Sequence, residues 1–486
     1  MFGFTSIRNY HQELSEGKIS CEEVVKHYLK QIELHRNLNA FTAVFEEEAL
    51  ERARELDRKR AQGHAMEKLH GVVVGIKDVI CYENHPVTAA SAILSGYEAI
   101  YSATAVTRLL EEGAIIIGNL NCDEFAMGST NENSNYGPVL NALDHSRVPG
   151  GSSGGSAVAV QSGCCMISLG SDTGGSVRQP ADFCGIIGLK PGYGRISRYG
   201  LIAYASSFDQ IGIFSTNVED AALALEVMAG ADAFDSTVSS APVPEYHKQL
   251  GSDQTPLKIA YLPETLEHPG LDPEIRTAIS DLLNRLRADG HTVDAVEFPY
   301  LDYIVPAYYV LTTAEASSNL SRYDGVRYGH RTEKAEDLLS FYKKTRSEGF
   351  GKEVKKRILL GTFVLSAGYY DAYFTKAQQV RRLLADKTRA IFSGYNAILL
   401  PTAPTPAFKI GEKIADPIAM YLADIYTVYA NLVGVPAISI PLFRHTNGMP
   451  FGLQIMTNQN EELSLLRISR QLMARYSNNI QNGNPQ

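Results

Sequence analysis

Apolar residues are spaced along this chain in two ways, and each predicts a different element. Val25, Tyr28, Leu29 and Ile32 fall at helical intervals behind a Ser20-Cys21-Glu22-Glu23 capping box, which predicts an amphipathic helix. Glu46 to Arg60 is charged and rich in Ala and Leu, and predicts a second, more exposed helix. From Gly71 onward, short continuous apolar runs alternate with helical stretches. Gly71–Val79, Ala114–Gly118 and Met166–Ser171 have the look of strands buried on both faces. Helices are predicted over Thr104 to Glu112, from Ala157 to Gln161, and from Thr216-Asn217-Val218-Glu219 to Met228. Further short strands are predicted at Leu257–Leu262, Thr292–Phe298, Ala397–Leu400, Ala437–Ile440 and Gly452–Ile455, with helices between most of them. The alternation implies an α/β fold: one large, mixed, mainly parallel sheet covered by helices on both faces.

On this reading residues 1–65 are an N-terminal helical region packed on the core. Residues 66–230 form that core, and 231–486 are the remainder of the same domain. Ala231 to Pro256, rich in Ala, Ser, Pro and Asp, reads as a linker or long loop, and 324–352 as a polar, aromatic surface insertion.

Composition narrows the class. The chain has 486 residues, 44% hydrophobic and 20% charged, enough to build a large core and too apolar for disorder. The net charge of −9 argues against a polyanion-binding surface spread over the whole chain. Cys21, Cys81, Cys122, Cys164, Cys165 and Cys184 include no C-x-x-C pair, so reduced thiols in a cytoplasmic protein are expected, with neither disulfides nor a zinc site. The polar start and the short aliphatic runs predict neither a signal peptide nor a membrane span.

The candidate chemistry lies between Lys77 and Ser207. An apolar strand ends in Gly75-Ile76-Lys77-Asp78; Pro149 leads into Gly150-Gly151-Ser152-Ser153-Gly154-Gly155-Ser156; and Thr173-Gly174-Gly175-Ser176 precedes Val177-Arg178. Alone, the second run could be a linker, a phosphate cradle lacking its Gly-Lys-Ser/Thr, or a nucleophile elbow around Ser153, although no downstream histidine sits in a telling context. In the third piece, two glycines before a serine can present consecutive backbone N–H groups to an oxyanion, and the serine then needs a base. Lys77 could serve if burial made it neutral. Bringing a lysine from about 10.4 to near 7 takes roughly 4–5 kcal/mol of destabilisation of the ammonium form.

Together the three pieces closely resemble the amidase signature family, whose hallmark is a Ser–cis-Ser–Lys triad in a Gly/Ser-rich stretch. The resemblance implies Ser176 as nucleophile, Ser152 after a cis peptide from Gly151 as bridging serine, and Lys77 as base. It also implies an oxyanion hole built from the backbone N–H groups of Thr173, Gly174, Gly175 and Ser176. Asn121 to Ser129, Tyr193 to Leu201, Ala205 to Gly212, Arg322 to Gly329 and Gly349 to Ala372 are similar to one branch, the A subunits of glutamyl-tRNA(Gln) amidotransferases. That branch implies a glutaminase working with subunits B and C in a heterotrimer. L-glutamine would be bound by Arg357 at its carboxylate and Asp424 at its ammonium, with Tyr308 lining the pocket. ATP and Mg²⁺ would be used by the partner subunit, which would also hold most of the Glu-tRNA(Gln); this chain would carry no cofactor and no metal. Asn141-Ala142-Leu143-Asp144 stands where the family usually has Asn-Pro-Trp-Asp, and the chain has no Trp. A standalone amidase acting on other small amides, or a scaffold without chemistry, are the competing readings.

Overall fold

A computed structural model describes residues 2–251, 255–412 and 423–477. Eleven strands form a single sheet: β1 (Phe41–Val44), β2 (Val73–Lys77), β3 (Ile115–Leu120), β4 (Ile167–Asp172), β5 (Ile187–Lys190), β6 (Gln210–Ser215), β7 (Lys258–Tyr261), β8 (Thr292–Ala295), β9 (Ala397–Pro401), β10 (Ala437–Arg444) and β11 (Pro450–Met456). Their spatial order is β1-β3-β2-β4-β6-β5-β10-β11-β9-β7-β8. Every residue of β2 to β6, β9 and β11 is buried, so the sheet is covered on both faces.

The sheet is mixed, but parallel pairing does not predominate. It joins β3, β2 and β4 at one end and β9, β7 and β8 at the other. The middle, from β4 through β6, β5, β10 and β11 to β9, is antiparallel, as is the edge strand β1. The strands missing from the periodicity, β1, β5 and β6, all pair antiparallel. β1 and β5 are four residues long, and β5 and β6 carry glycines that break their apolar runs, so a pattern of apolar periodicity passes over them.

The predicted helices form close to their expected bounds. Cys21–Leu34 has the full capping box, and Asn217 caps Val218–Met228. The helix after the Gly/Ser run starts earlier than expected, at Gly154. Ala231 to Pro256 runs mostly as turns, with a short helix at Tyr246–Gln249; its residues 252–254 lie outside the described residues. The 324–352 segment exposes Val326 and Tyr328, yet it is tied to the loops that carry the site. Its His330 amide bonds Ile93 O at 2.9 Å, and Phe350 packs on Phe125 with ring centroids 5.6 Å apart. In the Asn141–Asp144 stretch, Asn141 is buried and bonds Phe183 O at 3.0 Å, while Leu143 is exposed.

Candidate active site

Three parallel neighbours deliver the site. β2 ends in Lys77, β3 leads into Asn121–Asp123, and β4 leads into the turn before Ser176; the Gly/Ser run joins them at the carboxyl ends of these strands by lying on the β3 loop, where the Asp123 N–H donates to Ser152 O at 3.1 Å. Binding sites of open α/β sheets form there because loops leave the sheet side by side.

Lys77 is fully buried. Its Nζ lies 2.7 Å from Ser152 Oγ, 2.9 Å from Ser153 Oγ and 2.9 Å from Ser171 Oγ. An ammonium would donate to all three hydroxyls. A neutral amine has two donors and one lone pair, so one hydroxyl must then donate to it. Ser153 is already committed, donating to Ser171 O at 3.1 Å, so the donor is Ser152 or Ser171, of which Ser152 is the closer. Burial is the main influence on Lys77 and lowers its pKa to about 8; Cys122, Asp123, Asp172 and Asp209 oppose the shift from a distance. Ser153 and Ser171 carry no sequence signal for this contact, because a Gly/Ser run gives no indication of which hydroxyls face inward. Ser153 also sits at the N-cap of the following helix without making a capping bond, its hydroxyl being taken by the lysine.

The peptide between Gly151 and Ser152 is cis. Ser176 is buried and makes no side-chain hydrogen bond among the described residues, so the Lys77–Ser152 contact is formed and a Ser152–Ser176 contact is not. Catalytic hydrogen bonds often tighten only when substrate is bound. In the turn before Ser176, Asp172 is pinned by Arg178, whose Nε and Nη2 lie 3.1 and 3.0 Å from its carboxylate. Burial pushes Asp172 up, but the charge and hydrogen bonds of Arg178 outweigh it and bring the pKa to about 2. Asp172 also accepts the amides of Gly175 at 2.8 Å and Val177 at 3.1 Å. The Gly175 N–H, expected to face an oxyanion, is therefore turned onto Asp172, while those of Thr173, Gly174 and Ser176 have no partner among the described residues.

The three expected substrate residues come from distant parts of the chain. Tyr308 is buried and packs so tightly on Gly174 that a Cβ there would overlap its hydroxyl. Lys355 and Lys356 face solvent on the helix Lys352–Val364, but Arg357 turns inward and is buried. Its Nε donates to Glu353 at 2.9 Å and its Nη1 to Tyr204 Oη at 2.8 Å, and it lies over the rings of Tyr204 and Tyr309. Asp424 is buried, accepting from Ser129 Oγ at 2.5 Å and from Gln179 Nε2 at 3.2 Å. Burial raises its pKa to about 7, against the Ser129 hydrogen bond and the charge of Arg357. A buried arginine with N–H groups unused among the described residues and a buried carboxylate form a charge pair that could read a zwitterion. Ser129, Gln179 and Tyr204 are hydrogen-bond partners of these residues that the sequence does not disclose, because polar residues holding a side chain from behind carry no spacing signature.

The Amidase family pattern matches residues 23–466. The chain is 52% identical over 477 residues to the A subunit of the glutamyl-tRNA(Gln) amidotransferase of Chlorobium luteolum, covering 98% of each protein. Its fold is similar to that of the A subunit of the Thermotoga maritima glutamyl-tRNA(Gln) amidotransferase, at a TM-score of 0.78 and 39% identity over 96% of this chain and 94% of that one. A peptide amidase from Stenotrophomonas maltophilia superposes with a TM-score of 0.80 at 27% identity, covering 97% of each. The chain belongs to the amidase signature family, on its branch of glutamyl-tRNA(Gln) amidotransferase A subunits.

Proposed function

We propose that this chain is the glutaminase of a tRNA-dependent amidotransferase, with Lys77, Ser152 and Ser176 as its catalytic triad. The observation that carries the reading is the 2.7 Å contact of a fully buried lysine with Ser152, beside a serine that makes no side-chain hydrogen bond among the described residues. Neutral Lys77 takes a proton through Ser152 as Ser176 Oγ adds to the side-chain amide carbon of glutamine. The amides of Gly174 and Ser176, with that of Thr173, receive the developing oxyanion; Gly175 joins them only if its N–H leaves Asp172. The C–N bond breaks, ammonia departs with the relayed proton, and water releases glutamate from Ser176 by the same route. Arg357 holds the substrate carboxylate, Asp424 the ammonium, and Tyr308 closes the pocket wall over Gly174.

The ammonia passes to partner subunits B and C of a heterotrimer. There ATP and Mg²⁺ activate Glu-tRNA(Gln), and the tRNA is held chiefly by the partner, in keeping with the −9 charge of this chain. Among the described residues no helix is long and apolar enough to cross a membrane, and a cytoplasmic setting suits a tRNA substrate. The test is Ser176→Ala in the assembled complex. Glutamine-dependent amidation of Glu-tRNA(Gln) should be lost while ammonia-dependent amidation persists. Loss of both activities would overturn the proposal, and brisk hydrolysis of unrelated amides by the isolated chain without partner stimulation would favour a standalone amidase.

A further inference from the structure

One buried side chain connects two parts of the site. Gln179, on the helix Arg178–Cys184 that follows Ser176, is completely buried. Its Oε1 accepts the Gly151 N–H at 3.2 Å, from the residue whose following peptide is the cis link to Ser152. Its Nε2 donates to Asp424 Oδ1 at 3.2 Å. The orientation of the amide is fixed by its partners, because a backbone N–H requires the oxygen and a carboxylate requires the NH₂. The Ser129 hydroxyl holds the other oxygen of Asp424 and, among the described residues, makes no hydrogen bond to the Gly151 segment, so Gln179 is the side chain that ties the two together.

We infer that Gln179 is a positioning residue that couples the carboxylate reading the substrate ammonium to the peptide carrying the relay serine. An ammonium arriving at Asp424 pulls on a carboxylate whose Oδ1 is held by Gln179. A shift of that amide acts on the Gly151 N–H, and through it on the direction in which Ser152 is presented to Lys77 and Ser176. The inference rests on the roles proposed above for Asp424 and Ser152.

The test uses the full chain assembled with its partner subunits and two readouts: the KM for glutamine, and the rate at which a fluorophosphonate labels Ser176. Gln179→Met keeps the volume and loses both hydrogen bonds. Gln179→Asn keeps the amide but is one methylene too short to span both partners, and serves if the Met variant does not fold. Each should raise KM and slow labelling by about tenfold, the effect of removing a hydrogen bond to a buried charged group. Ser129→Ala, which removes a hydrogen bond to Asp424 alone, should raise KM without slowing labelling. Values within about twofold of wild type on either readout for both folded Gln179 variants would overturn the coupling. Labelling does not require glutamine. A wild-type complex that is labelled yet does not hydrolyse glutamine would refute the proposed substrate, and the labelling rates would still decide whether Gln179 positions Ser152.

Discussion

The protonation of Lys77 makes a quantitative prediction. Its amine is fully buried among three serine hydroxyls, and among the described residues no carboxylate lies within hydrogen-bonding distance. Lowering its pKa from 10.5 to about 8 disfavours the ammonium form by about 3 kcal/mol. At pH 7 an ordinary lysine is neutral in ~0.03% of molecules and this one in ~10%, so burial enlarges the pool of active base by ~300-fold. At saturating glutamine, kcat for ammonia release should therefore climb about tenfold per pH unit below about pH 7 and bend near pH 8. Lys77→Arg, permanently charged, should lose about 10³-fold or more at every pH. Stability carries the matching signature. The folded pKa is below the unfolded one, so the cost of the buried charge is fully present below about pH 8 and is relieved as pH rises toward 10.5. Denaturant melts of wild type against Lys77→Met should thus show the wild type gaining up to ~3 kcal/mol relative to the variant between about pH 8 and pH 10.5. A pH–rate profile that is flat from about pH 6 to 9, or one whose midpoint lies near the ordinary lysine value, would refute the argument that burial creates the base.

The same geometry sets three further outcomes. Arg178→Met leaves Asp172 as an unpaired buried carboxylate, so it should cost about 3–5 kcal/mol in denaturant melts and slow Ser176 labelling, because the turn before Ser176 hangs on Asp172. Gly361→Ala puts a Cβ onto the Thr313 carbonyl, where the helix carrying Arg357 crosses Leu301–Asn319. It should destabilise by about 1–3 kcal/mol and raise the KM for glutamine, read by melting and steady-state kinetics. Asp424, with its pKa raised to about 7, takes up a proton in place of the substrate ammonium as pH falls. The KM for glutamine should rise about tenfold per unit below that pH, and Asp424→Asn should abolish this dependence while raising KM throughout.

What the chain discloses in advance depends on whether a residue's role has a local signature. Lys77 at the end of an apolar strand, the Gly/Ser run and the Gly-Gly-Ser turn are contiguous, so they are legible as three pieces, and resemblance to a family joins them. Strands that open on a continuous apolar run, such as Ile115–Ile117 of β3, are legible because both faces of the sheet are covered. β1, β5 and β6 are short or interrupted by glycine, and without them the sheet looks more parallel than it is. Arg357 beside two lysines looks like part of a solvated face. Only the packing of its helix on Leu301–Asn319 shows that one of the three cations is turned inward. Gln179, Ser129, Ser153 and Ser171 act through partners dozens to hundreds of residues away in sequence, and a single sequence carries no trace of such pairings.

Burial, rather than pairing, sets the chemistry of this site. Asp172 and Arg178 neutralise each other, and their ion pair fixes the turn without taking part in proton transfer. Lys77, Asp209 and Asp424 have no such ion-pair partner among the described residues, and desolvation moves each toward neutrality, to about 8, about 7 and about 7. The pocket by itself therefore offers the Arg357 guanidinium, paired on one side with Glu353, and a carboxylate close to protonation. On the roles proposed above, a zwitterionic amino acid places its carboxylate on the Arg357 N–H groups unused among the described residues and its ammonium on Asp424, which it holds in the ionised form. A simple amide supplies neither, and an amide bearing only a carboxylate leaves Asp424 divided between its ionised and protonated forms near pH 7. The proposed selectivity for glutamine over other amides would then rest on reading both of its charges in a dry site, a discrimination that a purely apolar pocket of the same shape could not make.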